Sequence, residues 1–357
     1  MSSLPQPGRR NLLALLTTLP AATQAGTVHA APLPAVAAPL AEALRLFVAG
    51  PADGTLNRWA DALLPALEQS LPPDTLIRRV EVGSVDGVTG ANQFEARSVP
   101  DGQTALLVPG RAALAWMVGD PRAQFDVAHW VAVLAGASSG VVVGRPSVLA
   151  TDGRARVAAA TPASPDLVAL LGVQLLGANM EPVLGLATPA AAQAAFAQGA
   201  VDALLLHGLR VPEQVAALGA LGAQPLFALG ALDDAGRVVR DPAFPALPHF
   251  AELYTTRTGG RVAGPLYDAW NAAAAAVRLE FGLVLPQLTP AAMVALWRRA
   301  GTDAVGMQGV QTVAQAANVR PLAGPVATTN TAVLAANAPA LSELRNWLAS
   351  RLNWHPA

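Results

Sequence analysis

The stretch Leu44-Arg45-Leu46-Phe47-Val48-Ala49-Gly50-Pro51-Ala52-Asp53-Gly54-Thr55 reads as an apolar strand that enters a turn of small residues, and an amphipathic helix follows from Leu56 to Leu71. The same order recurs when a strand at Thr75–Val82 leads through the loop 83–90 into a second helix. A helix that starts in such a loop presents backbone N–H groups without partners and attracts an anion. Two such starts at the strand ends of one open sheet predict a site for a small carboxylate.

Further short motifs follow in a fixed order along the chain. They are Asp53-Gly54, Gly87-Val88-Thr89-Gly90-Ala91, Pro100-Asp101-Gly102-Gln103-Thr104, Ala197-Gln198-Gly199-Ala200-Val201-Asp202 and Pro245-Ala246-Leu247-Pro248-His249-Phe250-Ala251-Glu252. This ordered set resembles the Bug-type receptors, the extracytoplasmic solute-binding proteins of tripartite tricarboxylate transporters. The resemblance covers most of residues 43–260 and is weak in the last hundred residues. No single motif is specific, and the order of the whole set carries the resemblance.

Alternating strand and helix signals predict an α/β protein with parallel sheets. Further strands are expected at Thr104–Val108, Trp130–Leu134, Gly140–Gly144, Arg156–Ala160, Pro182–Leu186, Ala203–His207 and Pro225–Leu229, and the clearest later helices at Asp268–Arg278, Pro290–Arg299 and Ala340–Leu352. The resemblance implies a two-lobed periplasmic-binding-protein (Venus flytrap) architecture with a helical C-terminal region. Residues 43–135 plus 243–357 would form lobe 1 and residues 136–242 lobe 2. Crossings near Leu134–Gly140 and Leu229–Asp241 would form the hinge.

The N-terminus has the pattern of an export signal. Arg9-Arg10 precede the apolar run Leu12–Leu19, and small residues follow at Ala25 and Ala30. A positively charged start, a short apolar core and such cleavage sites are typical of a signal peptide, here residues 1–30. The paired Arg also resembles a twin-arginine signal, so both this route and general secretion stay open. Residues 31–42 are expected to be a tether, and the mature protein is expected in the periplasm.

Composition excludes several classes of function. The chain has no Cys, and all 23 of its basic residues are Arg. Thiolate catalysis and Schiff-base cofactors are therefore excluded. The net charge of −1 gives no basic surface for nucleic acid. The five His residues show no metal-binding spacing, so neither a metal nor another cofactor is expected.

Two motifs have competing interpretations. Gly136-Ala137-Ser138-Ser139-Gly140 matches the G-x-S-x-G nucleophile elbow, which needs a strand before it and a helix after it. Because Val141-Val142-Val143 continues as a strand, a hinge or a turn is the better interpretation. His207 follows a buried strand where a cleft is expected, although a polar residue at a strand end is more often structural than functional.

The resemblance places a ligand between the lobes, where the chain departs from the family pattern. Asp53 replaces a Gly, Asn57 aligns with the usual Asp of the first helix, and Asp86 replaces another Gly. Arg111 enters the loop after the third strand, and it is expected to bind a ligand carboxylate bidentately. The candidate ligand-binding residues are Asp53, Gly54, Thr55, Asn57, Gly87, Thr89, Gly90 and Arg111 from lobe 1, with Thr161, Ser164 and Thr188 from lobe 2.

The sequence thus predicts a receptor without a catalytic step. It would capture a small, carboxylate-bearing solute and deliver it to the membrane subunits of a tripartite tricarboxylate-type transporter. One alternative is a secreted hydrolase that uses Ser138. The other is a sensor or structural protein that kept the fold and lost its ligand.

Overall fold

The structure is a computed structural model that describes residues 44–150 and 154–355. The predicted export signal, residues 1–30, and the tether, residues 31–42, lie outside the described residues. Among the described helices, none is both long enough and apolar enough to cross a membrane.

The first three strands form one edge of the sheet. β1 (Leu44–Val48) pairs in parallel with β2 (Ile77–Glu81) on one side and with β3 (Thr104–Val108) on the other. Helices α1 (Thr55–Ser70), α2 (Val88–Arg97) and α3 (Gly110–Met117) each begin in the loop after one of these strands. Every residue of β3 is buried because the strand lies inside the sheet, as its continuous apolar sequence predicts.

The long strand β4 (Trp130–Gly144) joins the two parts of the sheet. Its first part pairs antiparallel with β11 (Leu279–Pro286) and β12 (Val319–Ala323). The prediction of two strands separated by 135–139 is therefore wrong. The small residues in this segment admit neighbours instead of making a turn: a Cβ on Gly136 would stand 2.2 Å from the Phe281 ring.

The second part of β4 pairs antiparallel with β7 (Ala203–Gly208) and β8 (Gln224–Ala228). Next to β7 lie β5 (Arg154–Ala158) and β6 (Asn179–Val183), which are parallel to each other. The helices of this part are α4 (Leu167–Leu175), α5 (Pro189–Ala197) and α6 (Val211–Gly219). A smaller hydrophobic core around Phe196 and Leu204 packs here, apart from the main core. We call this part lobe 2 and the part with β1–β3 lobe 1; the exact lobe limits given above stay a prediction.

The C-terminal region is largely helical, as predicted, but it also supplies β11 and β12 to the sheet of lobe 1. After a short ribbon, β9 (Ala231–Leu232) and β10 (Val238–Val239), the helices are α7 (Phe250–Thr258), α8 (Pro265–Arg278), α9 (Ala291–Gly306), α10 (Gln308–Ala316), α11 (Gly324–Ala332) and α12 (Ala338–Leu352). The Ala-rich α8 lies close to α4, where Trp270 Nε1 donates a 2.9 Å hydrogen bond to the Val168 carbonyl. This helix therefore ties lobe 1 to lobe 2.

Candidate ligand cleft

A cavity of about 250 Å³ lies at the carboxyl ends of β1 and β3. Lobe 1 lines it with both ends of the first loop, residues 49–51 and 54–55, and with Pro109, Gly110 and Arg111. Lobe 2 contributes the end of β7, from His207 to Leu209. The cavity lies between parallel-strand ends of one lobe and a strand end of the other, which is the usual place for ligands in open α/β sheets. We call it the cleft.

Two helices point their starts at the cleft without side-chain caps. Gly54 precedes α1 and Pro109 precedes α3, and neither helix receives a side-chain hydrogen bond at its cap. In α3 the Ala112 N–H already donates a 3.1 Å hydrogen bond to the Pro109 carbonyl. The first-turn N–H groups of α1 and those of Gly110 and Arg111 have no partner among the described residues and are open to an anion. Gly110 is required at the start of α3, because a Cβ there would stand 1.9 Å from the Ala276 carbonyl oxygen. This close approach of α3 to α8 holds the next residue, Arg111, at the cleft.

Arg111 is the cation of the cleft. Its side chain is exposed and lines the cavity, and it forms no salt bridge or side-chain hydrogen bond with any described residue. Its charge nevertheless acts on Asp166, His207 and Glu280. A guanidinium that its own protein leaves without a partner can accept a carboxylate with both of its parallel N–H donors.

His207 and Glu280 are the other titratable groups of the cleft. Burial lowers the pKa of His207 to about 4, and Arg111 acts in the same direction, so the imidazole is uncharged near neutral pH. Burial raises the pKa of the Glu280 carboxyl, and Arg111 opposes that rise. When Glu280 is protonated it can donate a hydrogen bond to an anion, and when it is ionised it repels one.

A second cavity of about 330 Å³ adjoins the cleft and shares Arg111, Leu114 and Pro165 with it. Its other arginine, Arg122, is engaged by acids of its own lobe, at 2.9 Å from Asp86 and 2.6 Å from Asp120. The hydrogen bond from Arg122 lowers the pKa of Asp120. Burial alone would raise the pKa of Asp86, but hydrogen bonds from Ser84, Val88 N–H and Arg122 lower it. Arg122 is thus neutralised within the fold, and Arg111 is not.

The lobe 2 wall of this second cavity is a loop that satisfies its own polar groups. The Ser164 hydroxyl lies 2.8 Å from both the Thr161 carbonyl and the Asp166 carboxylate. Asp166 also accepts a 3.0 Å hydrogen bond from the Ala160 N–H. Burial raises the pKa of Asp166 despite these bonds. A ligand that reaches this wall would have to share the Ser164 hydroxyl with the loop.

The predicted ligand-binding residues fall into two groups. Gly54, Thr55 and Arg111 line the cleft, and Thr161 and Ser164 line the adjoining cavity. The others, Asp53, Asn57, Gly87, Thr89, Gly90 and Thr188, lie outside both linings. Their ligand roles stay predictions.

Some of the residues outside the linings have structural partners. Asn57 is buried and its Nδ2 donates a 2.7 Å hydrogen bond to the Pro51 carbonyl, which fixes the first loop. Thr188 caps α5 by accepting a hydrogen bond from Ala191 N–H. Gly87 has a φ of 77° and would bring a Cβ within 2.5 Å of Pro109, so its lack of a side chain lets the second loop pack against the third.

Sequence reasoning missed Glu280, which lies in the cleft at the start of β11. The available signal was a single acid at the second position of an otherwise apolar strand, two residues after the end of α8. The Ser138 motif lies inside the continuous strand β4, and the Ser138 hydroxyl donates a 3.3 Å hydrogen bond to the Arg278 carbonyl. Within residues 44–150 and 154–355 no cluster of three or more His, Asp or Glu is suited to a metal ion.

Comparison with known proteins gives a structural likeness. No family model and no curated protein sequence matches the chain. A TctC solute-binding protein from Polaromonas, solved without ligand, has a TM-score of 0.62 at 15% identity, over 87% of this chain and 99% of its own. The chain has the fold of the TctC-type solute-binding proteins. This confirms the predicted two-lobed α/β architecture and the resemblance to the tripartite tricarboxylate receptors at the level of the fold.

Two other solved structures are more distant. MatC from Rhodopseudomonas palustris, solved with bound malate, has a TM-score of 0.49 at 18% identity, over 85% of this chain and 98% of its own. The periplasmic binding protein BugD has a TM-score of 0.46 at 15% identity, over 87% of this chain and 96% of its own. In this TctC-type fold, the cleft of the present chain opens between the lobes.

Proposed function

We propose that this protein is an exported solute receptor that binds a small carboxylate between its two lobes without changing it. The observation that carries the proposal is Arg111, a cation of the cleft with no partner among the described residues, beside the open N-termini of α1 and α3. A carboxylate is the ligand that satisfies a guanidinium and helix N–H groups together.

The size and the walls of the cleft narrow the class of ligand. A volume of about 250 Å³ is at or below the lower end of ordinary small-molecule pockets, which suits a short aliphatic acid. Lobe 1 supplies the charge and the N–H groups, and lobe 2 supplies His207, uncharged near neutral pH, and the backbone of Gly208. A ligand that contacts both lobes favours the closed arrangement by its differential affinity for it.

The test is a thermal-shift screen of short mono- and dicarboxylates, amino acids and amides, followed by calorimetry on each compound that stabilises the protein. A receptor should bind in the micromolar range, about −8 kcal/mol. X-ray scattering should show a smaller radius of gyration with ligand, and the ligand should be recovered unaltered. No stabilisation across the panel would favour the ligand-free relic, and a converted ligand would favour an enzyme.

The hydrolase alternative concerns Ser138. A nucleophile elbow exposes its Ser on a sharp turn between a strand and a helix. Ser138 instead is a buried residue of β4, and Ser139 beside it donates a 3.1 Å hydrogen bond to Asp241. We expect no labelling by a fluorophosphonate probe; labelling that Ser138→Ala removes would establish the hydrolase.

Export and the transporter partner belong to the same proposal. N-terminal sequencing of the protein from its native host should start near residue 31, and an intact Met1 or Ser2 would exclude cleavage of the predicted signal. Arg9→Lys with Arg10→Lys should block export by the twin-arginine route and leave general secretion working. Deletion of the gene should abolish uptake of the ligand that the purified receptor binds, since delivery to a tripartite tricarboxylate-type transporter requires the receptor.

A further inference from the structure

A cavity of about 390 Å³ lies at the hinge and is distinct from the cleft. It is lined by segments of both expected crossings, residues 137–139 of β4 and 230–232 with Asp241. Helix α10 and strand β12 close another side with Gln315 and Arg320. Its lining residues are not shared with the cleft, so it forms a separate compartment.

Arg278 is the charged group built into this cavity. Its side chain is 4% exposed, and it ends α8. Its Nη1 donates to the Gly230 carbonyl and its Nε donates to the Ala274 carbonyl at 3.2 Å. Its buried Nη2 has no hydrogen-bond partner within residues 44–150 and 154–355. A buried charged donor without an acceptor is costly, so an acceptor supplied from the cavity would be favoured.

The surroundings of Arg278 leave it available for an external anion. The acid in the same lining is Asp241, whose carboxylate accepts hydrogen bonds from Ser139 at 3.1 Å and from Ala243 N–H at 2.9 Å. Asp241 makes no salt bridge with Arg278 among the described residues, although the two charges attract each other. Burial raises the pKa of Asp241, and the charges of Arg278 and Arg320 oppose that rise. Burial lowers the pKa of Arg278 to about 10, which still leaves it charged at neutral pH. Arg320 adds a second positive charge.

We propose that the hinge cavity is a second binding site for a small carboxylate, which Arg278 Nη2 and the Arg320 guanidinium hold between β4, the β8–β9 connection and β12. The site lies beside the expected hinge segments and close in sequence and register to the cleft. Arg278 is two residues from Glu280 of the cleft, and Ser139 is paired in register with Gly208 of the cleft wall. Occupancy would therefore bias the opening of the lobes, and the cleft ligand and the hinge ligand would change each other's affinity by the same factor.

The experiment uses 4-bromobenzoate as the probe, because its bromine can be located by anomalous diffraction. Crystals of the full chain soaked in the probe should show bromine in the hinge cavity, with the carboxylate against Arg278 or Arg320. Calorimetry should show at least tenfold weaker binding for Ala243→Trp, which fills the mouth of the cavity from an exposed position. The matched control is Ala217→Trp on the exposed side of α6, and it should leave the affinity unchanged.

Two further variants test the proposal if a Trp substitution prevents the protein from folding. Arg320→Gln removes an exposed charge and should weaken probe binding about threefold to tenfold. Arg111→Gln alters the cleft alone and should leave the probe at the hinge. Bromine found only in the cleft or scattered on the surface would overturn the proposal. Equal affinity of the Ala243→Trp and Ala217→Trp variants would also overturn it.

Discussion

Two arginines, Arg111 in the cleft and Arg278 in the hinge cavity, differ in how the fold uses them. Arg111 is exposed and the described residues give it no hydrogen-bond partner. Arg278 is buried and bonds two backbone carbonyls, at Gly230 and Ala274. The Arg111 guanidinium is therefore left for a ligand. The Nε and Nη1 groups of Arg278 instead hold the end of α8 together and attach it to the expected crossing at Gly230.

Because of this difference, substitution of Arg111 should affect ligand binding and substitution of Arg278 should affect the stability of the fold. Removing an unpartnered exposed side chain takes little from the folded state, so its effect should appear in ligand affinity. Removing a buried donor leaves carbonyls without partners, so its effect should appear in the free energy of unfolding.

The largest expected effect is on ligand affinity in Arg111→Gln. Once the lobes close on the ligand and exclude water from the pair, loss of the charge-assisted partner should cost about 2–5 kcal/mol of binding free energy. Calorimetry with the carboxylate found in the screen measures it. The matched control is Arg78→Gln, an exposed arginine of β2 outside the cavities, which should bind as the wild type does. Unchanged affinity in Arg111→Gln would show that the side chain points to solvent.

Arg278→Ala should lower the stability of the fold, whereas Arg111 variants should lower ligand affinity. The variant loses hydrogen bonds from a charged donor to two buried carbonyls, and the free energy of unfolding should fall by roughly 3 kcal/mol. Urea titration of Arg278→Ala and Arg111→Ala in parallel measures the contrast, and Arg111→Ala should lie within about 0.5 kcal/mol of the wild type. Equal stability of the two variants would contradict the conclusion that Arg278 stabilises the fold and Arg111 does not.

Much of the fold could be predicted from the sequence because its signals are local. β3 at Thr104–Val108 was predicted to the residue, since Pro100-Asp101-Gly102 and an apolar run define it. β11 was missed because its pairing with β3 and β4 is antiparallel and distant in sequence. The division of β4 into two strands is wrong because the small residues near Gly136 suggest a turn, whereas Gly136 makes room for the Phe281 ring and Gly140 for the Leu229 side chain.

The candidate site was harder to predict than the fold. Gly54, Thr55 and Arg111 could be placed because loops after parallel strands meet at one edge of a sheet. Glu280 could not, since it reaches the cleft from a strand 169 residues later in the chain than Arg111. Asn57 suggested a ligand contact, but its side chain is turned to the Pro51 carbonyl, which a one-residue pattern does not reveal.

The pH dependence of stability shows whether burial keeps His207, on the lobe 2 side of the cleft, uncharged. Its pKa lies near 4 in the fold, below its ordinary value of 6.5. The stability it contributes is therefore present above pH 6.5 and is lost as the pH falls through about 4. After allowance for partial solvent exposure, the loss should be about 2 kcal/mol. His207→Gln should show a smaller loss between pH 7 and pH 4 in urea titrations, and an identical pH profile would mean that the imidazole is not desolvated.

The smallest expected effect is that of Glu280 on ligand affinity. It tests in more detail whether Arg111 binds the ligand carboxylate. Because its pKa is raised by burial, the protonated carboxyl persists to higher pH than in an ordinary Glu. As the pH rises through that pKa, a negative charge appears beside the bound carboxylate, so affinity should weaken. Glu280→Gln keeps the size of the side chain and removes the charge. At pH 8 it should bind the ligand about 1 kcal/mol more tightly than the wild type, since a partly solvated pair of like charges repels only modestly.

The pH dependence distinguishes this role of Glu280 from a structural one. Calorimetry from pH 5 to pH 8 should show affinity falling in the wild type and nearly constant in Glu280→Gln. A variant that bound more weakly at every pH would show that the ionised carboxylate supports the ligand through Arg111, by orienting the guanidinium. The cleft would then favour a ligand with its own donor groups, such as an amino acid, over a simple carboxylate, because a second negative charge would already stand next to the cation.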